Sequence, residues 1–565
     1  MLEDYIPIPT ADAERYLRAG CWRRQTLAQA IGDAARRHAA ERPDAIAIRD
    51  ARRAISFAAL LEESSRIAAT LERRGIKRGD RIIVQLPNRV EFATLLVACA
   101  EIGAIPVMAL PALRQAELEY LITLAKPVAI AVAPTYRGFD HVALARELRR
   151  RAPELRIILT TEPAEGGIDF GSVAEPGPPI GSRGGDPFDV SILLLSGGTT
   201  GLPKLIPRSH ADYLCSAEAC AAVCGFNPAT RLLLALPVEH HFPLGAPGLV
   251  GALLSGAATI FSESTNASDL MRVADAEQIT HLPCVPAIAL SILGLAERDR
   301  HGFATLRVIS VGGQRLQEPT ARALRRVFPH LQVQQVLGMS EGLICYTRLD
   351  ESDDVACTTQ GRPVSPDDEI RVVRADGTEV AAGETGELWC RGPSTIRGYY
   401  RAADANRAAF TADGFYRTGD LVRQTPSGNL IVEGRIKDQI NRGGEKISAE
   451  EIESHIIAHP AVSAAAVVAM PDPRLGEKVC AFVKLAPGGS LSLEELSVHL
   501  AQRGLARFKF PERLEVIDVM PLTNVGKIKK AELKRTIEIR LAAEHTKGAA
   551  SAPAPRANVD LAEEN

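Results

Sequence analysis

The sequence predicts an α/β protein with a large N-terminal domain and a small α+β C-terminal domain. First, 565 residues exceed the length at which a single hydrophobic core stops growing, so at least two domains are expected. Second, helical patterns such as residues 26–40 and 57–74 alternate with short apolar runs such as residues 45–48 and 81–86, which is typical of layered α/β folds. Third, the pattern changes after residue 436 to a compact unit of about 100 residues, an ordinary domain size.

The N-terminal domain is predicted to span residues 1–436. Its longest apolar stretch, residues 95–113, contains one glutamate and two prolines, so it predicts a buried helix and strand and not a membrane span. Glycine and proline recur over residues 162–187, which indicates a surface excursion between two halves of this domain.

The C-terminal domain is predicted to span residues 437–545. A glycine turn at residues 442–444 is followed, in order, by a helix at 449–458, strands at 462–470 and 479–485, and a helix at 493–503. Residues 546–565 are rich in alanine, proline and charge, with almost no large apolar side chains. We expect them to form a disordered tail.

The composition excludes several classes of function. The 66 basic and 69 acidic residues leave a net charge of −3, so neither nucleic acid nor a membrane is implied as a partner. The first residues are acidic and lack the basic and apolar segments of a secretory signal, so we expect a cytoplasmic protein. The ten cysteines include one cluster, Cys215, Cys220 and Cys224, at helical spacing. No histidine or CxxC pair accompanies it, which favours reduced core thiols over a metal site.

A glycine- and hydroxyl-rich loop follows an apolar strand predicted at residues 190–195. Its nine residues are Ser196, Gly197, Gly198, Thr199, Thr200, Gly201, Leu202, Pro203 and Lys204. Glycines let the backbone approach closely, N–H groups and hydroxyls donate hydrogen bonds to anionic oxygens, and the lysine adds a positive charge. The spacing is not that of the GxxxxGK[ST] loop, so the sequence predicts a phosphate-binding loop of another type.

Together with four further motifs, this loop resembles that of the acyl-adenylate-forming superfamily, which includes acyl-CoA synthetases, peptide-synthetase adenylation domains and luciferases. The motifs resemble the family's metal-binding motif at residues 338–342, its ribose-binding motif at 416–420, its hinge at 434–438 and its catalytic-lysine motif at 524–527. The resemblance covers residues 25–540. It implies a large domain with two sheets sandwiching helices and a distorted β-barrel, joined to a small mobile lid.

The resemblance implies an ATP site in which cations and fixed donors stabilise the charge that builds when a carboxylate attacks the α-phosphate. Lys527 is the predicted catalytic lysine, with a solvated lysine as the alternative. Glu341, assisted by Thr200, is predicted to hold Mg²⁺. Asp420 and Arg435 are predicted to bind the ribose, with a structural ion pair as the alternative. The other predicted ATP contacts are Gly312, Gly313, Gln314, Val336, Gly338, Met339, Ser340 and Val432, and the predicted hinge is Lys437 and Asp438. Gln314 departs from the small residue that is usual at its position, so its contact with adenine is left open.

Three strings, residues 204–213, 341–350 and 437–446, resemble in particular the stand-alone aryl-acid-activating enzymes of siderophore assembly lines. Those enzymes adenylate 2,3-dihydroxybenzoate or salicylate. The predicted aryl-acid pocket comprises His240, His241, Phe242, Ala246, Gly313, Leu343 and Ile344. The pocket string has no acidic residue to anchor an α-ammonium group, which disfavours an amino acid.

Three positions of the pocket bear on the choice of acid. At His241 the catechol-type enzymes have an asparagine that hydrogen-bonds the 2-hydroxyl. An imidazole nitrogen can also do this, and a buried structural histidine is the alternative. At Ala246 those enzymes have a serine and at Ile344 a valine, so a 3-hydroxyl would meet an apolar wall at a cost of about 1–3 kcal/mol. This predicts salicylate over 2,3-dihydroxybenzoate, and leaves anthranilate and 3-hydroxypicolinate open.

The predicted reaction has two steps. Salicylate and ATP form salicyl-AMP and pyrophosphate, and the lid then turns about its hinge so that the phosphopantetheine thiol of a separate aryl carrier protein attacks the adenylate. His240, at the family's aromatic gate position, either marks the thiol tunnel or serves packing. An aryl-CoA ligase is one alternative. A catalytically silent protein with the same fold is another, which the intact Lys527, Glu341 and Asp420 disfavour.

Overall fold

A computed structural model describes residues 3–171, 176–196, 203–296, 302–442, 445–472, 474–523 and 526–550. The chain divides into two compact units. The first comprises Met1–Ile436 together with Asn524–Lys527, and the second comprises Lys437–Thr523 and Ile528–Asn565. The assignment of these units as a substrate-binding domain and a lid stays a prediction.

The helices alternate with strands through most of the first unit, and the last three of them lie in the second unit. They are α1 Thr10–Ala19, α2 Leu27–Glu41, α3 Phe57–Arg73, α4 Val90–Ile102, α5 Gln115–Ala125, α6 His141–Arg151, α7 His210–Val223, α8 His241–Gly245, α9 Gly248–Ser255, α10 Ala267–Ala276, α11 Pro286–Ala296, α12 Glu318–Val327, α13 Asp353–Thr358, α14 Ala403–Ala409, α15 Ala449–Ile456, α16 Leu493–Gln502 and α17 Lys530–Ala550. Short 3₁₀ helices cover Ile436–Asp438 and Arg507–Lys509.

The strands of the first unit come before residue 436. They are β1 Ile46–Arg49, β2 Ala54–Ser56, β3 Arg81–Gln85, β4 Ile105–Met108, β5 Ala129–Val132, β6 Thr135–Tyr136, β7 Phe139–Asp140, β8 Ile157–Thr160, β9 Ile168–Asp169, β10 Val190–Leu195, β11 Leu205–Ser209, β12 Arg231–Leu234, β13 Ala258–Phe261, β14 His281–Cys284, β15 Val308–Gly312, β16 Gln332–Gly338, β17 Ile344–Tyr346, β18 Arg362–Pro363, β19 Glu369–Val373, β20 Thr385–Arg391, β21 Tyr416–Gln424 and β22 Leu430–Arg435. Those of the second unit are β23 Ile440–Arg442, β24 Glu445–Ile447, β25 Val462–Asp472, β26 Gly476–Leu485 and β27 Arg513–Val516.

Local sequence signals explain where the helices begin. Thr26 caps α2: its hydroxyl accepts the Gln29 N–H at 3.3 Å, while the Gln29 side chain accepts the Thr26 N–H at 2.9 Å. This reciprocal capping satisfies two backbone donors that a helix start leaves unpaired. Ser209 and Asp212 form the same arrangement at the start of α7.

Two large sheets enclose helices in the first unit. One has the order β11-β10-β4-β3-β5-β8-β9 and the other the order β18-β17-β16-β15-β14-β12-β13-β1-β2. Their inner strands are parallel, as βαβ crossovers require. One buried core contains residues of both sheets, such as Val84 and Leu232, together with α4, whose thirteen residues are all buried. The predicted α/β fold class, with helices between two sheets, is confirmed.

A third, smaller sheet completes the first unit. It is antiparallel, with the order β19-β20-β21-β22, and occupies the sequence region between the large sheets and the predicted hinge. Asp420 of β21 is in register with Arg435 of β22. This sheet therefore brings the two predicted ribose-binding residues together through backbone pairing.

The second unit is a small α+β fold. Its sheet has the order β24-β23-β26-β25, with β27 pairing parallel to β26. Successive residues of β25 face opposite sides of the sheet: Val467 packs in a core with α15 and α16, and Val468 packs in a core with α17. The central strands are therefore covered on both faces by this unit's own helices.

The structure refines several boundaries. The stretch predicted as a surface excursion contains β9, which pairs with β8 at the edge of the seven-stranded sheet. The last helix continues to Ala550, five residues into the predicted tail, and residues 551–565 lie outside the described part of the chain.

All ten cysteines are free thiols, and no group of three or more His, Cys, Asp or Glu among the described residues could hold a metal ion. Within the described ranges, no helix has both the length and the apolar character needed to span a membrane.

Candidate active site

The predicted adenine contacts lie at the carboxyl end of two neighbouring parallel strands. Gly312, the last residue of β15, is in register with Val336 of β16. A side chain at Gly312 would place its Cβ 3.0 Å from the Val336 Cβ and 3.4 Å from Phe242 Cε1. Glycine therefore avoids a tight contact with these groups. The carboxyl ends of parallel strands are where open α/β sheets bind ligands.

Glu341 lies in the turn that follows β16. The turn is closed by the Met339 N–H, which donates to the Leu343 carbonyl at 3.1 Å. Glu341 is 9% exposed, and the Tyr399 hydroxyl donates to its Oε1 at 2.9 Å. One predicted site carboxylate is thus held in a fixed orientation in a buried setting.

The two ends of the predicted phosphate loop are hydrogen-bonded to each other. The Lys204 N–H donates to the Ser196 Oγ at 2.9 Å, and the Ser196 N–H donates to the Lys204 carbonyl at 2.9 Å. Gly197, Gly198, Thr199, Thr200 and Gly201 lie outside the described residues. The Lys204 ammonium lies 4.9 Å from the centre of the Tyr399 ring, so the loop's lysine and Glu341 contact the same tyrosine.

Mg²⁺ suits this arrangement if it is shared with substrate. Magnesium in nucleotide enzymes is commonly bound by one or two carboxylates together with phosphate oxygens, and it keeps several waters. Glu341 supplies one oriented carboxylate beside the loop that ends at Lys204, which fits that pattern. The described residues carry no group of three or more His, Cys, Asp or Glu that could hold the ion without other ligands.

Asp420 and Arg435 form an ion pair. The Arg435 Nε donates to Asp420 Oδ1 at 2.5 Å, and Asp420 is 7% exposed. The Asp420 N–H donates to the Thr418 hydroxyl at 3.0 Å, which fixes the backbone at the carboxylate. The structural ion pair considered above is therefore present, and a carboxylate fixed in this way could also accept hydrogen bonds from ribose hydroxyls.

The backbone of Val432, another predicted contact, is held from both sides. The Arg315 guanidinium donates to the Val432 carbonyl at 2.8 Å, and the Val432 N–H donates to the Gln360 side chain at 2.8 Å.

Gln314, the residue that departs from the family's small side chain, is partly buried and immediately follows Gly313. Gly313 has φ +85°, in the left-handed region that favours glycine.

Three of the seven residues predicted for the aryl-acid pocket, Phe242, Ala246 and Ile344, come together in one apolar cluster. Its buried members are Cys220, Cys224, Ala246, Val336, Ile344 and Tyr346, with Phe242 packed against them. The Tyr346 hydroxyl donates to the Ala246 carbonyl at 2.6 Å. Leu343, also predicted for the pocket, is buried in the large core and not in this cluster.

The two adjacent histidines are held neutral by their surroundings. Burial, together with the nearby Lys527 charge, lowers the pKa of His240 to about 4. Burial, reinforced by Arg208, places the pKa of His241 well below its ordinary range. Among the described residues, neither Nε2 atom has a hydrogen-bond partner. Two buried ring nitrogens are thus left for groups that are not part of the described protein.

Lys527 is grouped with the first compact unit. A Cβ built on Gly313 would lie 3.2 Å from its Cε. The predicted catalytic lysine is therefore near both a predicted adenine contact and His240, whose pKa it influences. Its role, like those of Glu341 and Asp420, stays a prediction.

Three site residues were missed by reasoning from the sequence. Tyr399 orients Glu341, Arg208 donates to the Ser340 carbonyl at 2.9 Å, and Tyr213 is hydrogen-bonded to His241. Arg208 and Tyr213 lie within the string at residues 204–213 that carried the resemblance, so a signal was present for them. Tyr399 lies outside every motif, and only the folded chain brings it to Glu341.

The chain is similar to known proteins over nearly its full length. Residues 35–400 match the AMP-binding enzyme family, and residues 451–527 match the AMP-binding enzyme C-terminal domain. The chain is 42% identical over 546 residues to the 2,3-dihydroxybenzoate-AMP ligase of Bacillus subtilis, covering 96% of this chain and 99% of that protein. It is 40% identical over 550 residues to the salicyl-AMP ligase / salicyl-S-ArCP synthetase of Mycobacterium tuberculosis, covering 95% of each. The apo structure of Mycobacterium smegmatis MbtA is similar with a TM-score of 0.72 and 43% identity, covering 94% of this chain and 98% of that one.

Proposed function

Because this chain belongs to the AMP-binding enzyme family, we propose that it converts salicylate and ATP into salicyl-AMP and then passes the salicyl group to an aryl carrier protein. It is an ATP-dependent aryl acid-AMP ligase. The proposed acceptor is the phosphopantetheine thiol of a separate carrier protein in siderophore biosynthesis. A cytoplasmic location is part of the proposal, since ATP is supplied there.

The choice of salicylate rests on one observation, the composition of the apolar cluster around Ala246. Alanine offers no hydroxyl to a 3-hydroxyl group of the acid, and the Tyr346 hydroxyl already donates to the Ala246 carbonyl. Ile344, 2% exposed, adds bulk to the same cluster. A 3-hydroxyl buried here without a partner would cost about 1–3 kcal/mol, which supports salicylate over 2,3-dihydroxybenzoate.

In the proposed first step a carboxylate oxygen of salicylate attacks the α-phosphorus of ATP. A new P–O bond forms, the bond to the β-phosphate oxygen breaks, and pyrophosphate leaves. Lys527 supplies a positive charge to the carboxylate and the α-phosphate, which repel each other. Asp420 binds the ribose and Glu341 holds the ion. Mg²⁺, when bound, neutralises charge on the phosphate oxygens.

In the proposed second step the carrier's thiol sulfur attacks the acyl carbon. The C–S bond forms, the C–O bond to AMP breaks, and the thiol proton is released. The turn of the lid about Lys437 and Asp438 separates the two steps, and His240 lies at the entrance used by the thiol. Because its pKa is lowered to about 4, His240 is neutral at pH 7 and too weak a base to take up that proton, so the thiol proton is released to solvent.

Two alternatives share parts of this proposal. An aryl-CoA ligase would carry out the same first step and use free coenzyme A as the thiol. Anthranilate, 3-hydroxypicolinate or 2,3-dihydroxybenzoate could replace salicylate as the acid. A silent binding protein is disfavoured by the juxtaposition of Glu341, Tyr399 and Lys204, since a merely structural site has no need for an oriented buried carboxylate beside a phosphate loop.

The test is ATP–pyrophosphate exchange with salicylate, 2,3-dihydroxybenzoate, anthranilate, 3-hydroxypicolinate, benzoate and a few amino acids. We expect salicylate to give the highest kcat/KM, by at least about fivefold over the catechol acid. Preference for 2,3-dihydroxybenzoate would contradict the argument from Ala246. Stable thioester formation with coenzyme A at the rate seen with a carrier protein would favour the ligase alternative.

A further inference from the structure

A buried tyrosine and a buried histidine form an isolated pair beside the predicted aryl-acid pocket. The Tyr213 hydroxyl lies 3.3 Å from the His241 Nδ1, and the ring centres are 5.4 Å apart. Tyr213 is fully buried and His241 is 5% exposed. Among the described residues this is the hydroxyl's one hydrogen-bond partner, so the pair determines its own proton arrangement.

Space for this contact depends on Gly245. A Cβ at that position would lie 2.6 Å from the Tyr213 hydroxyl, which is inside van der Waals contact. The tyrosine hydroxyl therefore packs directly against the backbone of α8, the helix that begins with His241 and ends before Ala246. The ring is further held by the Arg208 guanidinium, 5.2 Å from its centre.

Only one proton arrangement satisfies the hydroxyl. If the imidazole carried its proton on Nδ1, the tyrosine O–H would have no acceptor among the described residues, and a buried donor without a partner is costly. If Tyr213 donates to Nδ1, its hydroxyl proton has a hydrogen-bond acceptor. The single proton of the neutral imidazole is then on Nε2.

The His241 Nε2 is buried without a partner among the described residues. An N–H group in that condition loses its hydrogen bond to bulk water on folding and regains one when a ligand or an ordered water supplies an acceptor. The pocket then presents a donor, whereas an amide at the same position could both donate and accept.

We propose that Tyr213 is a specificity-determining positioning residue that fixes the Nε2–H form of His241, so that the site prefers aryl acids whose ortho substituent accepts a hydrogen bond. The inference rests on the proposed function, because it assigns the ortho-group selectivity of that same site. A phenolic oxygen accepts such a bond while its own proton bonds the neighbouring carboxylate. The amine of anthranilate accepts poorly, since its lone pair is delocalised into the ring.

The test compares the wild type with Tyr213→Phe, which keeps the ring and removes the hydroxyl. Exchange is measured with salicylate, anthranilate and benzoate, the last having no ortho group. We expect the salicylate-to-anthranilate ratio of kcat/KM to fall by about tenfold in Tyr213→Phe, with the benzoate value changed less than about twofold. Tyr16→Phe is the matched control, since this buried hydroxyl contacts Arg15 in a separate cluster, and its ratio should equal that of the wild type.

A double-mutant cycle separates positioning from general packing. In a His241→Asn background the amide can rotate to donate or accept, so adding Tyr213→Phe should no longer change the ratio. Long-range ¹⁵N–¹H correlation on histidine-labelled protein, with His241→Asn for assignment, should show the wild-type proton on Nε2. A proton on Nδ1, or an unchanged acid ratio in Tyr213→Phe, overturns the inference while leaving aryl-acid adenylation standing. Absence of exchange by the wild type with every aryl acid overturns the proposed function itself.

Discussion

Single residues at this site owe their properties to burial combined with one close partner. Glu341 is oriented by the Tyr399 hydroxyl at 2.9 Å, and Asp420 is paired with Arg435 at 2.5 Å. His240 and His241 stay neutral because burial lowers the pKa of each. The chemistry expected of these groups therefore follows from their surroundings as much as from residue type.

Lys527 carries the first residue-scale prediction. Lys527→Ala should lower ATP–pyrophosphate exchange by at least about 100-fold, because the charge that stabilises the α-phosphate transition state is lost. Lys529→Ala is the matched control: this lysine lies two residues away and is half-exposed beside Glu532 at 3.6 Å. Both variants should keep the melting temperature of the wild type. Retained exchange in Lys527→Ala would mean that Lys527 acts only as a solvated surface lysine, and equal losses in the two variants would mean that the effect is not specific to Lys527.

At the scale of elements, the site is assembled by strand ends and by the turns that follow them. The ends of β15 and β16 bring Gly312 to Val336, and β21 pairs with β22 to bring Asp420 to Arg435. The turn after β16 places Glu341 where Tyr399 reaches it. Tyr399 comes from the irregular segment between β20 and α14, so this contact joins elements that are distant in sequence.

Tyr399 carries the element-scale prediction. In Tyr399→Phe the Glu341 carboxylate loses its hydrogen-bond donor, and the Mg²⁺ concentration for half-maximal exchange should rise by roughly tenfold, the usual effect of removing a partner of a metal ligand. The measurement is exchange at saturating salicylate and ATP over a Mg²⁺ titration. Tyr400→Phe is the control, because that neighbouring buried ring belongs to a different core cluster. An unchanged Mg²⁺ requirement in Tyr399→Phe would argue against Glu341 as the metal ligand.

At the scale of the whole molecule, buried titratable groups couple the first unit's stability to pH. His210, at the start of α7, accepts the Leu27 N–H of α2 on its Nδ1 at 3.2 Å. Burial lowers its pKa to about 4, opposed by Asp189 and assisted by Arg78. Protonation would place a second donor against the Leu27 N–H and break this link between two helices.

The sign of this effect is fixed by proton binding. Between pH 6.5 and 4 the unfolded chain takes up a proton at His210 that the folded chain does not bind. As the pH is lowered through this range, His210 therefore reduces the free energy of unfolding by about 1.4 kcal/mol per pH unit. His210→Gln retains an acceptor for Leu27 and should lose that part of the pH dependence. Urea unfolding at pH 7.0 and about 5.0 measures this change in the free energy of unfolding. His330→Gln, at an exposed histidine, should leave the slope of the wild type, and an identical slope in His210→Gln would refute the assignment.

Regular elements and motif residues could be predicted from the sequence because their signals are local. Apolar periodicity and the glycine-rich strings act within a few residues of the chain, and so helices such as α2 and α3 were predicted to within one or two residues of their observed ends. The α/β class and the membership of the AMP-binding enzyme family followed from the same signals. The predicted site roles of Lys527, Glu341 and Asp420 are also of this kind, since each depends on a short motif.

Only the tertiary structure decided which groups touch. Nothing local to Tyr399 indicates that it lies against Glu341, nothing local to Leu343 shows that it packs in the large core, and the Tyr213–His241 pair joins residues 28 positions apart. These contacts depend on how sheets and helices pack, and packing is set by non-local burial that no short stretch of sequence encodes. The sequence by itself thus determined the fold class, the family and the type of chemistry, while the folded chain decided the orientation of the carboxylate, the protonation of the histidines and the wall of the pocket on which the choice of acid depends.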